Sequence, residues 1–304
     1  MSFRRRMMMA VPNKVEVINF VDAEVKRILV ETWGGADCGT GAINTRVNNI
    51  KVPGIAGEMT YEQAASVLNL SNTFKGNTII RDFDELQFFT GITQCPVFQG
   101  CTLNSLIIPN NVILFGDNII YSTNITNMHI LGNSVSSVAG YSFRSTNITN
   151  LYLKTLDFLF SYNCTNAEQS PLWITKNLYI DGILTTHIDI PERITTLYSW
   201  FASSAIHSMT LPNTLVAIGN NAFRKTRMQT LTIPATVTSL GNSIIYNTTL
   251  PEMIFLSTTP PTANTATWGG SGNLGVIKVP AESVEAYKTA PNWSNVANKI
   301  QAIS

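Results

Sequence analysis

The sequence predicts an α+β fold, a solenoid of parallel strands capped by an N-terminal helical module and a C-terminal strand and helix. Three observations predict it. Four segments superpose, Leu106-Ile107-Ile108-Pro109, Ile188-Asp189-Ile190-Pro191, Met209-Thr210-Leu211-Pro212 and Leu231-Thr232-Ile233-Pro234, and self-similarity at a short step marks stacked repeats. Looser copies start at Met128, Leu151, Met253 and Ile277, the first three without the proline, so successive units lie 22, 23, 37, 21, 22, 22 and 24 residues apart. Residues before and after this series carry helix-start signals instead.

Each unit follows the same logic, clearest from Ile218-Gly219-Asn220-Asn221-Ala222-Phe223 to Leu240. The alternation in Leu231-Thr232-Ile233 marks a half-buried strand whose first and third positions point inward. Pro234 lacks a backbone donor, so it stops the strand and starts the turn that returns Val237 to the core. Gly219 and the asparagines beside it are expected to allow the tight bend into the next element, where Phe223 fills the space between coils. One coil alone leaves these side chains wet; stacked coils bury them, with neighbouring strands about 4.8 Å apart. The 37-residue step contains Asn177-Leu178-Tyr179-Ile180, which predicts an extra strand in an expanded or hairpin-bearing coil between Phe158 and His187.

The chain divides into an arm (1–14), a helical module (15–92), the repeats (93–258) and a closing segment (259–304). In the module, Asp22 caps a helix whose apolar positions are Val25, Ile28 and Leu29. A second helix starts at Thr60-Tyr61-Glu62-Gln63, a capping box, and is expected to continue through Ala64, Val67 and Leu68. In the closing segment a short helix from about Ala281 lays Val284 and Tyr287 on the last strand, with Trp293 and Ile300 completing the cover.

The Ile-Pro-x-x-Val run after the strand and the Ile-Gly-x-x-Ala-Phe run before it resemble the BspA-like leucine-rich repeats of gut-bacterial surface proteins and of proteins of their phages. The ending, Thr258-Thr259-Pro260-Pro261 through Ile277-Lys278-Val279-Pro280 to Trp293, is similar to the closing cap of that family. The resemblance implies a binding protein and no enzyme. It also raises calcium, because Gly57-Glu58-Met59-Thr60-Tyr61-Glu62-Gln63-Ala64 resembles the end of an EF-hand-like or dockerin-like loop. The ligand positions hold Val52, Gly54, Ala56 and Gln63, which supply no carboxylates, so no metal is expected. The Gly- and Asn-rich stretch between Trp33 and Pro53 reads as an inserted loop.

Composition narrows function further. With 44% apolar and 13% charged residues the chain should fold, and a net charge of +1 gives no global pull towards nucleic acid. The run Arg4-Arg5-Arg6 reads as a solvated or partner-bound arm. Pro12, Asn13 and Lys14 end the apolar run after Met7 before a signal-peptide core forms, and no stretch approaches the roughly 18 apolar residues of a membrane span. Cys38, Cys95, Cys101 and Cys164 lack metal-ligand spacing, and Cys95 and Cys101 read as buried thiols. The triplets at Asn124, Asn147, Asn163 and Asn247 match glycosylation acceptors by chance in an Asn- and Thr-rich chain.

Only His129, His187 and His207 offer imidazole bases, without the sequence context of a hydrolase or metalloprotease, and no cofactor motif occurs. Paired-carboxylate cleavage of polysaccharide has Asp181, Asp189 and Glu192 as its local candidates. The favoured reading is a binding face. If Leu231 and Ile233 point inward, the same phase exposes Ser105 and Ile107, Asn127 and His129, Asn150 and Tyr152, His187 and Asp189, Ser208 and Thr210, Thr230 and Thr232, and Glu252 and Ile254. Of these, His129, Tyr152, His187, Asp189, Thr210 and Thr232 are the expected contacts for a host surface glycan or protein. They offer hydrogen bonds, and in Tyr152 a ring for apolar sugar faces. Two settings fit, a phage virion component such as a tail fibre, with residues 1–14 docking on other virion subunits, or a bacterial cell-surface adhesin. The missing export signal, and a start similar to phage-encoded members of the family, favour the virion.

Overall fold

The computed structural model describes residues 16–31, 58–202 and 206–304. The arm 1–14 and the stretch from Trp33 to Pro53 lie outside them. The long-ladder strands are β1 (Asp82–Phe83), β2 (Thr102–Ile108), β3 (Asn124–Ile130), β4 (Asn147–Leu153), β5 (Thr175–Ile180), β6 (Ile183–Thr185), β7 (His187–Asp189), β8 (Ser208–Thr210), β9 (Thr230–Ile233), β10 (Leu250–Phe255), β11 (Leu274–Val279) and β12 (Ile300–Ala302). They form three sheets, β1 to β6 in order, the pair β7–β8, and β9 to β12 in order. Every pairing is parallel except β5 with β6.

The register reproduces the repeat phase. Leu106, Met128, Leu151 and Leu178 are successive partners, as are Leu231, Met253 and Ile277, and Ile188 faces Met209. All of them are buried. The strands in the first sheet start earlier than a three-residue alternation predicts. In β2 the inward residues are Leu103, Leu106 and Ile108, and the three-residue step between the first two breaks the simple alternation. Proline then acts by its carbonyl: Pro109, Pro191, Pro212 and Pro234 each accept from the N–H three residues on, at 3.2, 2.9, 3.1 and 3.1 Å. These turns deliver Val112, Ile194, Leu215 and Val237 to the interior.

A second, shorter set of parallel pairs follows each turn, Leu114–Phe115 with Ser137–Val138, and Thr196–Leu197 with Ala217–Ile218 and Ser239–Leu240. Here Gly219 plays a different part from the one expected. The left-handed bend falls on Asn221 (φ 55°), whose short side chain tolerates it. Gly219 is required by close stacking, since a Cβ there would sit 2.9 Å from the Leu197 carbonyl oxygen. A third side of turns carries buried Ile120, Phe143, Phe223 and Ile245, and buried Thr123 donates to the Phe98 carbonyl at 2.6 Å.

The long step holds the expected strand, β5, and a hairpin to β6 through Asp181 (φ 48°) and Gly182 (φ 78°). β7 pairs with β8 and not with β5, so the hairpin separates the first sheet from the rest.

At the N-terminal side, Asp22 Oδ1 accepts from Glu24 N at 2.8 Å and caps Ala23–Lys26, while its Oδ2 accepts from Arg81 N at 2.6 Å. The Thr60–Gln63 capping box is present, with Gln63 Oε1 accepting from Thr60 N at 2.7 Å. That helix ends at Ser66, short of the expected extent. Val67 is extended, Leu68 is half exposed, and Asn69 accepts from Ser71 N to turn the chain. The parallel ladder also begins inside this segment, at β1, where a two-residue strand is too short to show alternation. At the other end Tyr287 and Trp293 pack on Phe255 with ring centroids 6.0 and 5.1 Å away. Trp293 Nε1 donates to the Pro261 carbonyl at 2.9 Å. Cys95, Cys101 and Cys164 are buried free thiols.

Candidate functional site

Parallel, in-register strands place equivalent side chains side by side at the strand spacing, about 4.8 Å. On β3, β4 and β5 the outward positions repeat the same chemistry, so neighbours interact along two rows. Asn150 Nδ2 donates to Asn127 Oδ1, and Asn177 Nδ2 to Asn150 Oδ1, both at 2.9 Å. Two residues further along each strand, the rings of His129 and Tyr152 stack at 4.2 Å and 5°, and those of Tyr152 and Tyr179 at 4.6 Å and 16°. A further amide pair at the strand starts, Asn147 Nδ2 donating to Asn124 Oδ1 at 2.8 Å, continues the pattern. Burial holds the His129 pKa below the ordinary imidazole value, opposed by the negative charge of Asp84.

This stacking changes what Tyr152 can offer. His129 covers one face and Tyr179 the other, so the ring presents its edge and hydroxyl rather than a flat apolar surface. Asn177 and Tyr179 were absent from the expected contacts. The signal was there, since Asn177-Leu178-Tyr179 repeats Asn150-Leu151-Tyr152 letter for letter, but the 37-residue step hid its register.

A second cluster spans β7 and β8. His187 Nδ1 lies 2.8 Å from Ser208 Oγ, and its Nε2 lies 3.2 Å from Asp189 Oδ1 and 3.3 Å from Thr210 Oγ1. Hydrogen bonds from Thr210 and then His187 hold the Asp189 carboxyl below the usual carboxylate range. The hydroxyl, imidazole and carboxylate sequence resembles a catalytic relay, but Ser208 N is directed at the Thr186 carbonyl and Ile190 N at that of Thr210. Those donors are therefore engaged and do not form an oxyanion hole. The carboxylates considered for polysaccharide cleavage have separate partners: Asp181 pairs with Lys154, Asp189 with His187, and Glu192 accepts from Thr214.

The six expected contacts thus fall on three sheets. His129 and Tyr152 touch; His187, Asp189 and Thr210 form one hydrogen-bonded group; Thr232 stands apart on β9, opposite Ile254 of β10. Among the described residues no helix is long and apolar enough to cross a membrane.

Short parallel strands stacked in register at a step of about 22 residues, joined by Pro-x-x-apolar turns, define a leucine-rich-repeat protein of mixed α/β structure. The chain belongs to the BspA type leucine-rich-repeat family, whose model matches residues 71–179 and 173–289 in six copies. A similar solved structure is a leucine rich cell surface protein from Faecalibacterium prausnitzii A2-165. It is 17% identical, with a TM-score of 0.26, over 53% of this chain and 56% of that one. The similarity therefore spans about half of that protein's length. No curated protein matches the chain.

Proposed function

We propose that this chain is a non-enzymatic adhesion module, a capped leucine-rich-repeat solenoid whose long-ladder face binds a host surface glycan or protein. The observation that carries the reading is the ordered face of β3 to β5. Three amides linked head to tail and three stacked rings are fixed before any partner arrives. Fixing side chains in advance removes part of the ordering cost of binding. The face offers a straight row of ring edges and hydroxyls beside a row of amides, suited to hydrogen bonding with a polar, extended ligand. His129 and Tyr152 are the primary contacts, joined by Asn150 and Tyr179. His187, Asp189 and Thr210 form a second polar patch, and Thr232 lies beyond both. The capping role falls to 15–92 and 259–304 around the repeats of 93–258.

The setting we adopt is the bacterial cell surface, a choice that the family resemblance supports. The family match lends no support to a virion component, and an interaction with virion subunits through 1–14 falls on residues outside those described.

A printed array of host glycans, run beside a panel of host surface ectodomains, tests the reading. The wild-type chain should bind at least one of them, and a His129→Ala/Tyr152→Ala variant with an unchanged melting temperature should lose that signal. Retention of full signal by the folded variant would exclude this patch.

A further inference from the structure

The turn side of the repeats holds a second arrangement, independent of the long-ladder face. Six residues before the outward ladder position stand Tyr121 and Arg144 in two neighbouring repeats and, beyond the irregular coils, Arg224, Tyr246 and Gly270 in three more. The guanidinium carbon of Arg224 lies 5.1 Å from the Tyr246 ring centre and 5.6 Å from that of Trp173. Lys225 Nζ lies 5.1 Å over the same indole. Gly270 supports the stack from the following repeat: its φ is +70°, and a Cβ there would come within 2.3 Å of the Tyr246 ring. Only glycine lets the ring lie against that backbone. The turns are tied together by Lys225 N to the Tyr246 carbonyl at 2.9 Å and Asn247 N to the Gly270 carbonyl at 3.0 Å.

Two positive charges are therefore held against one aromatic ring without a negative partner. Among the described residues no ion pair uses Arg224, Lys225 or Arg144. Arg224 Nε is buried and has no hydrogen-bond acceptor among those residues. That atom lies out of a ligand's reach, so the contact falls to the two terminal nitrogens: a planar guanidinium fixed by rings offers its paired Nη–H groups to a carboxylate or sulfate in two parallel bonds. Arg144 repeats the theme earlier in the column, 5.2 Å from the Tyr141 ring and 5.9 Å from that of Tyr121.

We propose that Arg224 and Lys225, seated on Trp173 and Tyr246, form a binding site for an acidic saccharide, with Arg144 as a further anchor along the same column. Cation and ring units set at intervals along a repeat axis match a linear polymer that carries charge at intervals, and the ring edges beside each cation suit sugar better than a second charged surface. The recognised chemistry is an oxyanion on a sugar, whether a uronate carboxylate or a sulfate ester.

Titration calorimetry on the full chain tests this at low salt with an oligogalacturonate, a heparin-derived oligosaccharide, a neutral cello-oligosaccharide and poly-glutamate. At least one acidic oligosaccharide should bind, more weakly as salt rises, and the neutral one should not. The acid that binds more tightly identifies carboxylate or sulfate as the natural group. Arg224→Gln with Lys225→Gln should weaken binding roughly ten- to hundredfold. The exposed Lys225→Gln change alone, which leaves the aromatic stack intact, should weaken it by a smaller factor. Arg224→Lys, retaining charge but not the fork, should fall between wild type and the double variant. No binding of either acidic oligosaccharide, or equal affinity in a folded double variant, would overturn the site. Poly-glutamate binding as tightly as both saccharides would overturn the assignment to sugar.

Discussion

The outward faces of β3 to β5 and of β9 to β11 rest on the same parallel backbone arrangement over buried apolar residues, yet differ in order. On the first, like meets like: asparagine faces asparagine and ring faces ring, so each strand extends a bonded row. On the second, Thr230 faces Glu252 and Thr232 faces Ile254, which in turn faces Lys278. The contact that forms there is a single ion pair between Lys278 and Glu252 at 2.6 Å. Parallel stacking converts a repeated outward residue into a preorganised surface, whereas unlike neighbours leave an ordinary solvated one. The hairpin at Asp181 and Gly182 marks where the first kind stops.

The largest expected effect removes the end of the less ordered half. Trp293 is fully buried against Phe255, Trp268 and Tyr287, so Trp293→Ala should cost about 3–5 kcal/mol of stability in denaturant melts, through the cavity and the unpaired Pro261 carbonyl. Gly270→Ala comes next, at about 2 kcal/mol or more, because the new methyl meets both a left-handed backbone and the Tyr246 ring. Asn150→Ala tests the comparison itself. It removes the middle of the amide row and strands a partner on each side, for a loss of about 1–3 kcal/mol, whereas Thr232→Ala on the other face should stay within about 0.5 kcal/mol.

The smallest effect is a titration. Burial lowers the folded-state pKa of His129, so the neutral ring's contribution is complete above the unfolded value near ~6.5 and is lost as pH falls through the lower folded value. An NMR titration should place the His129 midpoint below that of a free imidazole. Asp84→Asn, which removes the opposing charge, should move it lower still. An upward move in that variant would contradict the assigned balance.

Much of the fold was legible because burial imposes a period. Leu106, Met128 and Leu151 could be phased from spacing alone, since each must face the core of its coil. The three-residue step from Leu103 to Leu106 was not, because a break in alternation leaves no periodic trace. Gly219 was legible as a required glycine but not for its reason, as the approach of the Leu197 carbonyl is a contact between repeats. The site was half legible. Alternation named His129 and Tyr152 as outward, but whether neighbouring outward side chains bond depends on register, and the irregular step concealed Tyr179. The turn-side cations were missed because Arg224 and Trp173 belong to different repeats, and only the stacked fold brings them together.

Order on the long-ladder face, rather than outward exposure alone, is what the proposed binding surface rests on. Its most direct test is the dissociation constant of the strongest array ligand for two folded double variants, Asn150→Ala/Tyr152→Ala and Thr230→Ala/Thr232→Ala. A loss of about tenfold or more in the first, with the second equal to wild type, is the predicted result. Equal affinity in the first with a loss in the second would contradict it.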